Sequence, residues 1–223
     1  MTHKRILQDR RRRIISAFLT PVLVDAGFKV NANIYARAIG RLQHIVDVQL
    51  SRSNPAGQSS FGLNCGIYIP GVWSGLTNLP ESSTPSAADC VIHTKPGLLR
   101  TPNRTKWWYM RLSDGAEKDA EIGMDLRAIV EECALPFFDR FPNEATVAKF
   151  LSRPPMKEDM AIYPGCESVG VVYAGIIWDQ LGEYEKCKEC MARAAALAKG
   201  KRLEADIEKF AREYVCGKLP RIA

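Results

Sequence analysis

Nowhere among the 223 residues do eighteen apolar residues run consecutively, which excludes a membrane-spanning helix. Histidine is scarce: His3, His44 and His93 are the whole supply. Zinc needs four ligands, and no second C-x-x-C or histidine pair accompanies Cys187-Lys188-Glu189-Cys190, so neither a metal nor any other cofactor is expected. Gly-x-Ser-x-Gly and the Walker phosphate loop are both missing, which removes the two commonest nucleophile and phosphate motifs. The seven cysteines, Cys65, Cys90, Cys133, Cys166, Cys187, Cys190 and Cys216, are odd in number and irregular in spacing, so a disulfide framework is not expected and buried free thiols are. No apolar segment follows the first charges, so a cleavable leader is not expected either, and the cytoplasm is the expected compartment.

What is present describes a globular chain. Hydrophobic residues make up 46% and charged residues 25%, enough for one sizeable core with or without a helical appendage. The net charge of +6 is concentrated at one end: Lys4, Arg5, Arg10, Arg11, Arg12 and Arg13 face only Asp9 within the first thirteen residues. The remainder is nearly neutral, so the basic character describes a segment and not a surface-wide field. Asp114, Glu117, Asp119 and Glu121 sit at a helix start, where opposing the helix dipole is a sufficient role.

Periodicity predicts a helix over 5–26, with Pro21 as a kink and Gly27 as a stop. Extended runs follow at 28–30 and 34–39. In 44–51, Val46, Val48 and Leu50 alternate with Asp47, Gln49 and Ser51. In 61–69, Phe61, Leu63, Cys65, Ile67 and Ile69 alternate with polar, small or aromatic residues. These two runs flank the polar loop 52–59 and read as an antiparallel hairpin. Residues 71–88 read as an irregular connection. Two more strands are predicted at 90–94 and 106–112, joined by 96–105, then helices at 117–140 and 143–152. Arg153-Pro154-Pro155 breaks the pattern. The expected organisation is therefore a domain over 1–152, a linker over 153–165, and a helical tail over 166–223 with helices at 166–182, 184–199 and 202–216. The fold class is α+β: an antiparallel sheet of five or six strands, helices packed on one face, and a C-terminal helical hairpin.

Alternation assigns the sheet two faces. With Val46, Val48, Leu50, Phe61, Leu63, Cys65 and Ile67 beneath the helices, the opposite face carries Asp47, Gln49, Asn64 and Tyr68, joined from the later strands by His93, Trp107, Tyr109 and Arg111. Rings, amides and one arginine suit a peptide, protein or small polar ligand. The bland alternative is that helices or a neighbouring chain cover this face, with one of the adjacent tryptophans in the core.

Several stretches in order, GF at 27–28, HIVDVQLSRS at 44–53, FGLNCGIYIPG at 61–71, DC at 89–90, KWW at 106–108 and ALPFF at 134–138, resemble the bacterial family called domain of unknown function 4304, across roughly 5–152. That resemblance implies an α+β domain in a soluble bacterial protein and carries no known activity, so no catalytic residue transfers. His93-Thr94-Lys95-Pro96 departs from the Arg-rich stretch expected of the family there. Residues 174–198, with Leu181-Gly182 and Tyr184, are similar to a single tetratricopeptide unit, which cannot bury its apolar face alone and must pack onto the main domain or a second copy.

The resulting expectation is a non-enzymatic protein- or ligand-binding module, whose partner is another protein or a second copy met through the sheet face or the tail. A nucleic-acid-binding role for Arg10–Arg13 with Trp107 and Tyr109 is the first alternative. A hydrolase or transferase centred on His44 or His93 is the second.

Overall fold

The structure is a computed structural model that describes residues 2–77, 79–101, 104–162, 164–215 and 217. Cys216, and with it the predicted end of the last helix, lies outside the described residues. The chain forms one antiparallel sheet from β1 (Lys29–Asn31), β2 (Ile34–Ile39), β3 (Leu42–Leu50), β4 (Gln58–Tyr68), β5 (Ile92–Thr94) and β6 (Trp108–Arg111). The strands follow in order from β1 to β5, and β6 also pairs with β4, through Gln58↔Arg111, Ser59↔Met110, Ser60↔Tyr109 and Phe61↔Trp108. The two strong period-two runs are therefore the central pair β3 and β4, as their alternation requires.

Two compact units share this chain. The first comprises the residues up to Ala38 with His44–Cys65 and Thr94–Asp139; the second comprises Ile39–Gln43, Gly66–His93 and the chain from Arg140 onward. β4 gives its first residues to one and its last to the other.

In the first unit two long helical segments supply the core. One runs through α1 (His3–Ile14), a π-helical turn Ile15–Leu19, and α2 (Thr20–Asp25). The other runs through α5 (Ala116–Ile129), a second π turn Val130–Ala134, and α6 (Leu135–Asp139). Each π turn immediately precedes a helix that carries a proline near its start, Pro21 in α2 and Pro136 in α6. Proline removes a donor and collides with the carbonyl four residues back, and a wider turn accommodates both problems without breaking the helix. The two segments meet at Phe18 and Gly123, where a glycine is required because a side chain would strike the phenyl ring. Beneath them the inward faces of β3 and β4 place Val46, Val48, Phe61, Leu63 and Cys65 out of solvent. Leu50, predicted among them, is 37% exposed, because β3 ends there and the hairpin loop begins.

The second unit is helical around α8 (Glu167–Gln180), whose Val171, Val172, Ala174, Ile176 and Ile177 are buried on all sides, as a central helix should be. α7 (Glu144–Ser152), α9 (Tyr184–Ala198) and α10 (Glu204–Val215) pack around it. α8 and α9 form a hairpin closed at Gly182, which takes φ +78°. Between α7 and α8 lies Asp159, 1% exposed and held by Arg140 at 3.0 Å and Arg153 at 2.6 Å. The short helix α3 (Val72–Thr77) occupies a stretch that composition reads as irregular, and α4 (Pro96–Arg100, in the first unit) lies in the segment expected to join two strands.

Candidate functional site

β6 decides which of the adjacent tryptophans is structural. Trp108 is buried, stacks on Phe61 with ring centroids 5.5 Å apart, and donates its indole N–H to Asp125 at 2.8 Å. Asp125 also meets Lys106 at 2.6 Å and Arg100 at 3.0 Å. Burial alone would raise this carboxyl, but the Lys106 and Trp108 hydrogen bonds prevail and hold it below the usual range.

One residue either side, the strand presents the opposite face. Trp107 is half-buried and Tyr109 is 62% exposed. The pairing Ser60↔Tyr109 puts this face beside Ser60, and with it Gly62 and Asn64 of β4. Trp107 lies over Gly62: a methyl group built there would sit 3.6 Å from two of its ring carbons. The ammonium of Lys95 stands 5.4 Å from the Trp107 ring centroid, on its π face. Arg111 is exposed, and among the described residues its guanidinium has no ion pair or hydrogen bond. Only its backbone is engaged, the N–H donating to Asp114 at 2.5 Å and the carbonyl accepting from Arg10 at 2.7 Å.

Across β4 the same face continues onto β3. Asn64 donates to Gln49 at 3.3 Å and is hydrogen-bonded to Asp47. Burial pushes the Asp47 carboxyl up, and the Asn64 bond pulls it part of the way back. Asp47, Gln49, Asn64, Trp107, Tyr109 and Arg111 thus all belong to the first unit and share one sheet face. Tyr68 and His93 belong to the second unit. Tyr68 is buried, and burial together with the neighbouring Glu81 pushes its phenol up to about 12. His93 is solvent-exposed on β5.

His44 is a core residue. It is 1% exposed, stacks on Phe138 at 4.7 Å, and its Nδ1 lies 3.0 Å from the Arg37 guanidinium, which itself covers the Phe28 ring. Cys65, Cys90, Cys133, Cys187 and Cys190 are all buried. Among the described residues no three His, Cys, Asp or Glu side chains come together as a metal site. No described helix is long and apolar enough to cross a membrane.

The arginine run does not act as a strip. Consecutive residues on a helix point about 100° apart, so four in a row face four directions. Arg10 turns inward, 7% exposed, and grips Asp119 through Nε at 3.0 Å and through a second nitrogen at 2.5 Å. That two-pronged contact raises the guanidinium above its ordinary value. Arg12 lies 3.9 Å from Asp9 on the surface. Arg11 is half-buried with no partner among the described residues. The Arg10–Asp119 clamp escapes sequence reading because 109 residues separate the partners. The different fates of Arg10, Arg11 and Arg12 are implicit in helical geometry.

Residues 19–140 match the family described as Domain of unknown function (DUF4304), inside the stretch that the ordered motifs mark out. No curated protein and no solved structure matches the chain.

Proposed function

The chain belongs to the DUF4304 family, and on that premise we propose that it is a non-enzymatic binding module that takes an extended polypeptide across the outer face of β3, β4 and β6. The observation that carries this reading is the pairing of the exposed Tyr109 on β6, and of the half-buried Trp107 just before it, with small residues on β4. Tyr109 stands opposite Ser60 and the Trp107 ring packs over Gly62, so the rings lie low against β4 and present their faces along the sheet. Arg111 at one end and the Gln49–Asn64 amides at the other offer donors and acceptors to a peptide backbone. Tyrosine, tryptophan and arginine are the residues that most often dominate binding energy at protein interfaces. The partner is a segment of another protein; a second copy of this chain is the competing occupant. The arginine run gives less support to nucleic acid, because Arg10 is already neutralised inside the fold.

The test is selection of peptides from a displayed random library on the full chain, followed by titration of the enriched peptides against the wild type, Tyr109→Ala and Arg111→Ala. Both side chains are exposed, so neither truncation opens a cavity in the core. Truncating Tyr109 should weaken binding by about tenfold or more, on the scale of an interface anchor. Peptides that bind both variants as well as the wild type would place the ligand elsewhere. Sedimentation velocity showing a dimer abolished by Tyr109→Ala would identify a second copy as the occupant.

A further inference from the structure

A cleft of about 730 Å³ opens in the first unit between α1 and the loop joining β3 to β4. Its volume is that of a small-molecule site. Two features distinguish it from an ordinary surface fold. The first is charge: Lys4, Arg11 and Arg52 line it, and no Asp or Glu does among the described residues. The second is Arg11. Lys4, Gln8 and Arg11 form one stripe of α1 at helical spacing, beside the buried stripe of Leu7, Arg10 and Ile14. Arg10 finds Asp119, whereas the half-buried Arg11 guanidinium has neither an ion pair nor a hydrogen bond among the described residues. Burial and the adjacent Arg12 charge both push its guanidinium below the ordinary value, yet an arginine remains charged. A half-buried cation without a counter-ion is a cost to the fold that an anion would remove.

The opposite wall is already shaped. The loop is closed by Ser51 N–H donating to the Ser60 carbonyl at 3.0 Å. Asn54 donates to the Ser51 carbonyl at 3.0 Å and accepts from the Ser60 hydroxyl at 2.8 Å. Gly57, at φ +73°, presents its carbonyl to the Leu112 N–H at 3.1 Å. The loop's internal bonds are thus met by its own backbone, Ser51, Asn54 and Ser60. The Gln58 amide and Ser59 hydroxyl remain without partners among the described residues, and both line the cleft.

We propose that this cleft binds a compact phosphate-bearing anion, with Arg11 as its principal charge partner, Lys4 and Arg52 as flanking cations, and Gln58 and Ser59 as neutral donors. A phosphate monoester dianion suits the combination, since guanidinium and phosphate oxygens form paired, charge-assisted hydrogen bonds. A polynucleotide fits less well, because the basic lining is confined to the cleft while Arg12 and Arg13 are exposed on another side of α1 and the remainder of the chain is nearly neutral. This site is separate from the sheet face and does not depend on the peptide-binding reading.

The experiment is a titration of the full ¹⁵N-labelled chain with inorganic phosphate and with phenyl phosphate at constant ionic strength, read by amide and arginine Nε–H shifts. Arg11→Gln, Arg52→Gln and Arg13→Gln each remove one unit of charge, but Arg13 does not line the cleft. Expected are saturable shifts at residues 3–11 and 50–60, about tenfold weaker binding in Arg11→Gln, a severalfold loss in Arg52→Gln, and less than twofold in Arg13→Gln. Phenyl phosphate binding more tightly than inorganic phosphate would mark the monoester as the ligand class; the reverse order would mark free phosphate. Arg52 is exposed, so its variant keeps the test decisive should Arg11→Gln fail to fold. Equal losses in Arg13→Gln and Arg52→Gln, or no saturable shift with either probe, overturn the proposal. So does binding of a single-stranded oligonucleotide that phosphate does not compete away.

Discussion

Replacing Gly123 by alanine sets two opposed effects against each other. Gly123 lies inside α5, where alanine normally gains about 1 kcal/mol of helix stability over glycine. At this position the added methyl carbon would sit 2.2 Å from Cδ2 of Phe18 and 2.5 Å from Cε2 and Cγ. Carbon atoms in contact prefer roughly 3.5–4.0 Å, so the ring must retreat by more than about 1 Å. Phe18 stands in the π turn Ile15–Leu19, whose backbone is held by the flanking helices, so its escape is either a strained rotamer or a swing into solvent. Overpacking of this kind costs about 1–3 kcal/mol, and losing the ring's burial costs a similar amount. The net expectation is a loss of about 1–2 kcal/mol, equivalent to a fall in melting temperature of roughly 5 °C for a chain of this size. Urea titration followed by far-ultraviolet circular dichroism gives the free energy, and an unchanged slope assigns the effect to the folded state. Phe18→Ala supplies the second arm: with the ring gone, Gly123→Ala should become neutral or stabilising, a coupling that a double-mutant cycle isolates. Stabilisation by Gly123→Ala in the wild-type background would refute the reasoning, because it would mean that the two helical segments do not meet at this glycine.

A buried carboxylate, Asp159, and a half-buried one, Asp47, should titrate with opposite signs. Burial tends to raise Asp159, but Arg153 and Arg140 outweigh it and hold the carboxyl below its unfolded value, so its stabilisation is present above the unfolded value and is lost as pH falls through the folded one. Asp47 is raised, so the folded chain holds the extra proton and stability declines as pH rises through that window. Asp159→Asn should therefore destabilise at neutral pH by about 1–3 kcal/mol and flatten the acid limb of the stability curve, whereas Asp47→Asn should be neutral or mildly stabilising; both are read from urea midpoints across a pH series. Cys166 should alkylate ahead of every other described cysteine. It alone among them is not buried, and although burial pushes its thiol up, hydrogen bonds from the Ser168 hydroxyl and from the backbone of Val169 and Ser168 bring it below the ordinary value. Timed labelling of the native chain with iodoacetamide and peptide mass mapping checks the order; modification of Cys65 first would contradict it.

Much of the fold is legible because the central strands each carry a period-two run. Val46 and Val48 on β3, and Phe61, Leu63 and Cys65 on β4, are buried as period two demands, and Trp108 takes the interior position that one of two adjacent tryptophans needs. Alternation says where a face points and not where a strand stops, which is why Leu50, expected beneath the helices, stands at the mouth of the hairpin loop. Pro96 is a standard helix-opening residue, but the five residues of α4 are too few for a helical period to show. α3 is six residues long, too short for helical periodicity to emerge. On the candidate sheet face, Asn64 and Gln49 come together because cross-strand neighbours must. Tyr68 is buried, and the Glu81 carboxylate beside it comes from a loop whose course has no period. Arg11 had a readable clue in the angular step of the helix, but the complementary loop wall became visible only in three dimensions.

The π turn at Ile15–Leu19 amounts to one surplus residue threaded into a helix. Removing a single residue there would restore a regular helix and swing everything upstream through about 100° relative to α2. Leu7 and Ile14 would leave the interior, Arg10 would lose Asp119, and Arg11 would swing away from the cleft. The angular phase of the basic segment is thus written by one apparently redundant position, so in this part of the chain a single-residue deletion should be far less tolerable than most substitutions.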